Sequence, residues 1–115
     1  MTILLVDTDA VRMRQTARMV QNLLPTVDGL STTDPLLAAK YAFEHPVDLL
    51  IAGLNMKRMD GLQLSTFLQE KSPHAAVCLF ATRRELACSA EAGRSFHPLP
   101  LPIQEAALQD ILNQL

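Results

Sequence analysis

Three short runs in this chain are apolar at every position rather than at alternate ones: Ile3-Leu-Leu-Val6, Leu49-Leu-Ile-Ala52 and Ala76-Val-Cys-Leu-Phe-Ala81. A strand with one face in water alternates apolar and polar residues. A continuous run of this length therefore belongs to a strand covered on both faces. Such sheets are parallel, because the crossovers that join parallel strands lay helices over them. Each run is followed within a few residues by a segment of helical period. That pairing constrains the fold more than any composition figure does.

Taken in order, Asp7-Thr8-Asp9 ends the first run and offers Thr8 or Asp9 as a helix N-cap. Met13, Ala17, Val20 and Leu24 then recur at helical spacing, and Pro25 stops the helix. Arg12, Arg14, Arg18 and Gln21 fall mostly on its outer surface, most simply as a solvated face. Thr26 to Thr32 reads as a weaker strand. Asp34-Pro35 pairs an N-cap with proline at the first helical position, and that helix runs through Leu37, Ala38, Tyr41 and Ala42 to about His45. Val47 to Ala52 is the third strand. Asp60 caps a helix reaching about Lys71 that buries Leu62, Leu64, Phe67 and Leu68. Beyond the fourth strand, Arg83 to Gly93 makes a short helix ended by glycine, and Ser95-Phe-His97 a brief fifth strand. Pro98, Pro100 and Pro102 alternate through a loop, and Ile103 to Leu115 closes the chain as an amphipathic helix. Residues 1–115 thus read as a single α/β domain, a doubly wound five-stranded parallel sheet of (βα)5 type with helices on both faces.

A chain of 115 residues is the size of one domain. Its net charge of −2 sets a nucleic-acid surface aside as the main function. No apolar run approaches the ~20 residues of a membrane span. Met1 leads into a strand pattern without a basic leader, so a cytoplasmic protein is expected. Cys78 lies inside an apolar run and reads as a core residue, Cys88 as a partly exposed thiol. His45, His74 and His97 are scattered beside prolines and suit structural or solvent-facing roles.

In open parallel sheets, chemistry gathers where loops leave the carboxyl ends of the strands. Here those places are Asp7 to Asp9, Gly53 to Asn55 and the residues after Ala81. With Ile3-Leu-Leu-Val-Asp7, Leu54-Asn-Met-Lys-Arg-Met-Asp-Gly61 and Leu101-Pro-Ile103, the chain resembles the receiver domains of bacterial two-component response regulators, chemotaxis receivers among them. The middle segment is the most specific, through Met56 and Met59-Asp60-Gly61. The resemblance covers essentially the whole chain. It implies a flavodoxin-like strand order of 2-1-3-4-5 and a role in signal transduction.

In a typical receiver an aspartate accepts a phosphoryl group from a histidine kinase. A carboxylate attacking a phosphorus with negative oxygens needs Mg²⁺ to bring the charges together. The family holds that ion with two acidic residues after the first strand, pairs the phosphoryl oxygens with a lysine before proline, and reports occupancy through a Thr or Ser after the fourth strand. Carried onto this chain, the acceptor position is Gly53, which has no side chain to react. Of the acidic pair Asp7 remains, its neighbour is Thr8, and Asp9 lies one residue further on. Asn55 sits where a backbone carbonyl would ligate metal. Ala81 stands at the hydroxyl position, with Thr82 next to it, and Leu101 replaces the lysine before Pro102.

The expectation is a pseudo-receiver: no enzyme activity, no cofactor, and Mg²⁺ binding weak or absent, with Asp7, Asp9 and Asn55 as the residual metal candidates. Lys57 either folds back to pair with Asp7 in place of the missing cation or, with Arg58, is a solvated loop charge. The resemblance places partner or homodimer contacts on the face of the fourth helix, fifth strand and fifth helix, through Phe96, Leu99 and Leu101. Neither nucleic acid nor membrane is expected to bind this domain. The leading function is signalling by phosphorylation-independent protein contact. Two alternatives stand beside it: a relocated phosphoacceptor at Asp7 or Asp9, and the amino-terminal receiver of a longer transcriptional regulator.

Overall fold

The computed structural model describes residues 1–91 and 96–115. Strands and helices alternate along it: β1 Thr2–Val6, α1 Ala10–Leu23, β2 Asp28–Thr32, α2 Pro35–Glu44, β3 Leu49–Gly53, α3 Gly61–Lys71, β4 Ala76–Ala81, α4 Arg83–Glu91, β5 His97–Pro100 and α5 Glu105–Asn113. The five strands make one parallel sheet in the order β2-β1-β3-β4-β5. The three continuous apolar runs become β1, β3 and β4, the three inner strands. Their burial on both faces is what removes the need for alternation.

Successive side chains of each inner strand go to opposite faces. Leu4, Val6, Leu50, Ala52 and Leu79 pack on one side against Ala38 and Ala42 of α2 and Leu64 and Leu68 of α3. Ile3, Leu5, Ile51, Cys78 and Phe80 pack on the other against Val20 of α1 and Leu108 and Ile111 of α5. Three helices start on aspartate caps. Asp9 accepts from the Val11 and Arg12 amides, Asp34 from Leu36, and Asp60 from Gln63, whose side chain returns the bond.

The edges and ends depart from expectation. β2 starts at Asp28 rather than Thr26, and at Gly29 the backbone takes φ +137°. A Cβ there would overlap the Ile3 carbonyl, so only glycine lets this edge strand close on β1. β5 is His97–Pro100, reaching further along the chain than expected, and it includes two of the alternating prolines. An edge strand tolerates them because alternate residues turn away from the sheet. Leu101 donates its amide to the Ala81 carbonyl, which places Pro98 and Pro100 on the outward side. The expected helix end at Gly93 and strand start at Ser95 lie outside the described residues. α5 is shorter than the amphipathic pattern, since Ile103 is buried in the preceding loop. In α2 the buried stripe is Pro35, Ala38, Ala39 and Ala42, and Leu37 is exposed. The small stripe seats the helix close to the sheet and leaves its larger side chains at the rim.

Candidate functional site

The carboxyl ends of the parallel strands β1, β3 and β4 lie at one end of the sheet, and Asp7 follows β1 there with 1% of its side chain exposed. Both carboxylate oxygens are occupied. Arg12 Nε donates to Oδ2 at 2.6 Å and Arg12 Nη2 to Oδ1 at 2.9 Å, a bidentate pair. The Asp9 amide adds a bond of 2.9 Å to Oδ1. The Arg12 guanidinium also lies 5.0 Å from the centroid of the Phe80 ring, which adds a cation–π contact. Its bond to Asp7 holds the guanidinium pKa above its ordinary value, against the opposing effect of burial.

Arg12 was expected on the solvated face and is instead the internal counter-ion of the site. Position explains it: Arg12 is the third residue of α1, and side chains in a helix lean toward its N-terminus. The start of α1 follows directly from β1, so that lean carries the guanidinium over the strand ends. The signal was legible as a basic residue in the first turn of a helix that begins three residues beyond a buried aspartate. Arg14 and Arg18, further along, are exposed as expected.

Gly53 ends β3 opposite Phe80. A Cβ built there would meet Met56 Cγ at 3.0 Å and the Phe80 ring at 3.3 and 3.4 Å. A side chain at this position would therefore be tightly packed and would need Met56 to give by a few tenths of an ångström. Gly61, from the Asp60-Gly61 pair, is required for packing. A Cβ on it would run into the Gly53 carbonyl and Leu79, so glycine lets α3 start against the end of β3. Its amide reaches the Leu54 carbonyl at 3.2 Å.

The remaining expected residues separate into two groups. Asp9 turns its carboxylate onto the amides of α1 and away from Asp7. Lys57 does not fold back onto Asp7. It is exposed and, with Arg58, Thr8, Thr33 and Asp34, lines an open cleft of about 260 Å³. The Arg12 guanidinium already bonds both Asp7 oxygens. Ala81 is buried, and Leu101 lies half-buried in a groove of about 460 Å³ with Asp9, Arg12, Met19 and Ile103.

Thr82 points outward. Its hydroxyl accepts from the Glu85 amide at 3.2 Å and donates to Glu85 Oε1 at 2.8 Å, while its amide donates to the same oxygen at 3.0 Å. This is a capping box, Thr82-Arg-Arg-Glu85, at the start of α4. Asn55 donates its side-chain amide to Oε2 of Glu85 and so ties the β3–α3 loop to α4. These bonds, first the Thr82 amide and then its hydroxyl, hold the Glu85 carboxyl below its ordinary value. Glu85 was not foreseen, although the T-x-x-E spacing before a helix is its signature.

A family model for the response regulator receiver domain matches residues 3–95. The chain belongs to that family. It is a receiver domain of the two-component signalling type. No curated relative matches it by sequence. Among solved structures it is similar to the chemotaxis protein CheY4 of Vibrio cholerae, with TM-score 0.80 and 17% identity over 98% of this chain and 96% of that one. The receiver domain of the hybrid histidine kinase CckA is similar at TM-score 0.79 and 24% identity, over 99% and 97%. The receiver domain of the sensor histidine kinase PA1611 from Pseudomonas aeruginosa, solved with magnesium in its active-site cleft, is similar at TM-score 0.81 and 19% identity, over 98% and 94%. Identities this low speak for the fold alone.

Among the described residues no group of three or more His, Cys, Asp or Glu side chains is placed to hold a metal ion. Asp7 spends both oxygens on Arg12, Asp9 faces its own helix, and Gly53 contributes no carboxylate. A guanidinium brings a positive charge to Asp7 but has no open coordination position. Of the interface residues expected on the far side, Leu99 is fully buried and belongs to the core, a correction that follows from its inward register opposite Phe80. Phe96 and Leu101 are half-buried and pack on the two core clusters.

Proposed function

We propose that this is a pseudo-receiver, a receiver whose reaction pocket is refilled by its own side chains and which signals by protein contact without phosphorylation. The observation that carries the reading is the double grip of Arg12 on Asp7. It replaces a removable metal with a tethered cation, so charge in the pocket is balanced in every state of the domain. Met56 and Phe80 pack tightly against Gly53, so a side chain there would have to shift the end of Met56 by a few tenths of an ångström. The Asn55–Glu85–Thr82 bonds hold the β3–α3 loop and α4 together without a phosphoryl group between them. In this reading the domain needs no cofactor and catalyses no reaction. Its docking side is the α4–β5–α5 face, where the outward prolines stiffen the edge. No described helix is long and apolar enough to cross a membrane, and the proposed place of action is the cytoplasm.

The test is intact-mass spectrometry after incubation with Mg²⁺ and acetyl phosphate. The mass is expected to stay at that of the unmodified chain. A stable phosphoryl adduct on an acidic residue of the pocket would overturn the reading. Mapping it to Asp7 or Asp9, and losing it in Asp7→Asn or Asp9→Asn, would establish a relocated acceptor instead.

A further inference from the structure

Only Lys40 and Glu44 are charged among the ten residues of α2. A surface helix usually keeps its apolar stripe inward and covers the rest with polar residues. Here the inward stripe is made of proline and alanines, while Leu36, Leu37 and Phe43 are exposed by 50%, 46% and 70%. The Phe43 ring leans toward α3, its centroid 6.4 Å from that of Phe67, which widens the apolar surface. Patches of this kind mark interaction sites.

The two charges indicate what covers it. Lys40 and Glu44 lie one turn apart on the outward ridge and do not pair with each other; the one salt bridge among the described residues is Arg12–Asp7. Lysine ahead of glutamate is the weaker order within a helix. Glu44 also stands at the C-terminal end of α2, where the helix dipole disfavours an anion and no basic residue compensates. One cation and one anion, equally spaced about Ala42, are self-complementary under a two-fold axis.

We infer that α2 is a self-association surface, packing antiparallel against α2 of a second copy about a two-fold axis near Ala42. That arrangement sets Lys40 against the second copy's Glu44 in both directions. It also brings the two Phe43 rings together on the α3 side, over Phe67. The surface is separate from the pocket, and its failure would leave the pocket reading untouched.

The experiment is size-exclusion chromatography with light scattering on the full chain over a range of concentrations. The mass is expected to move from the 12.7 kDa of one chain toward twice that value. Lys40→Glu or Glu44→Lys alone sets like charges together at both contacts, and each variant is expected to remain monomeric. An equimolar mixture of the two restores both contacts and is expected to form a mixed dimer. Both positions are exposed, and circular dichroism identical to the parent confirms that the variants fold. A monomer at every concentration, dimers that persist in Lys40→Glu, or a mixture that fails to associate would each overturn the inference.

Discussion

Replacing Arg12 by alanine isolates the central contact. The Asp7 carboxylate has 1% of its side chain exposed and the Arg12 side chain 33%. Removing one partner of a fully buried pair costs about 3–5 kcal/mol, because the other charge is left uncompensated. Arg12 is a third exposed, so water enters the space it leaves, and the loss is expected to be about 2–3 kcal/mol. For a domain of this length that lowers Tm by ~10 °C. Adding Asp7→Asn to Arg12→Ala removes the stranded charge and should recover about 1 kcal/mol. Urea unfolding followed by circular dichroism reads both. An Arg12→Ala loss below about 0.5 kcal/mol, or a double variant less stable than the single one, would refute the reasoning.

Gly53→Asp is expected to remain unlabelled by acetyl phosphate and to lose about 1–3 kcal/mol, since the added side chain crowds Met56 and Phe80; robust labelling would show that Arg12 and Leu101 are no obstacle. Glu85→Gln should flatten the acid limb of the stability curve. The depressed Glu85 pKa gives stability that is present above the unfolded glutamate value and lost as pH falls through the folded one, so parent and variant should converge in acid. Burial pushes the Cys78 thiol up to about 12 while Cys88 is exposed, so a thiol reagent should titrate Cys88 in the native chain and Cys78 only on unfolding. Gly29→Ala should destabilise the β1–β2 edge by several kcal/mol, because it adds a Cβ overlap with Ile3 to an unfavourable φ, and amide exchange localised to β2 would reveal it.

The inner strands were legible because burial on both faces writes a continuous apolar run, and the capped helices because Asp9, Asp34 and Asp60 stand where helix amides need acceptors. The edge strands were less so. β2 has little apolar content to mark its start, and β5 carries prolines that signal a loop until the neighbouring β4 shows which side of the strand they occupy. Leu99 was misread for the same reason, since only pairing with β4 turns it inward. Within the site, the absence of a side chain at Gly53 and the change to Leu101 could be read directly. What replaced them could not.

The residue order by itself determined the parallel sheet, the helix starts, the family frame at Met56 and Met59-Asp60-Gly61, and the glycine at position 53. These are local properties: period, capping and identity at a position. Only the tertiary structure decided which cation meets Asp7. Lys57 and Arg12 were both basic residues within reach along the chain, and the choice rests on the direction in which the first turn of α1 leans over the strand ends. The close packing of Met56 and Phe80 around Gly53 is likewise set by the tertiary fold, between the β3–α3 loop and a neighbouring strand.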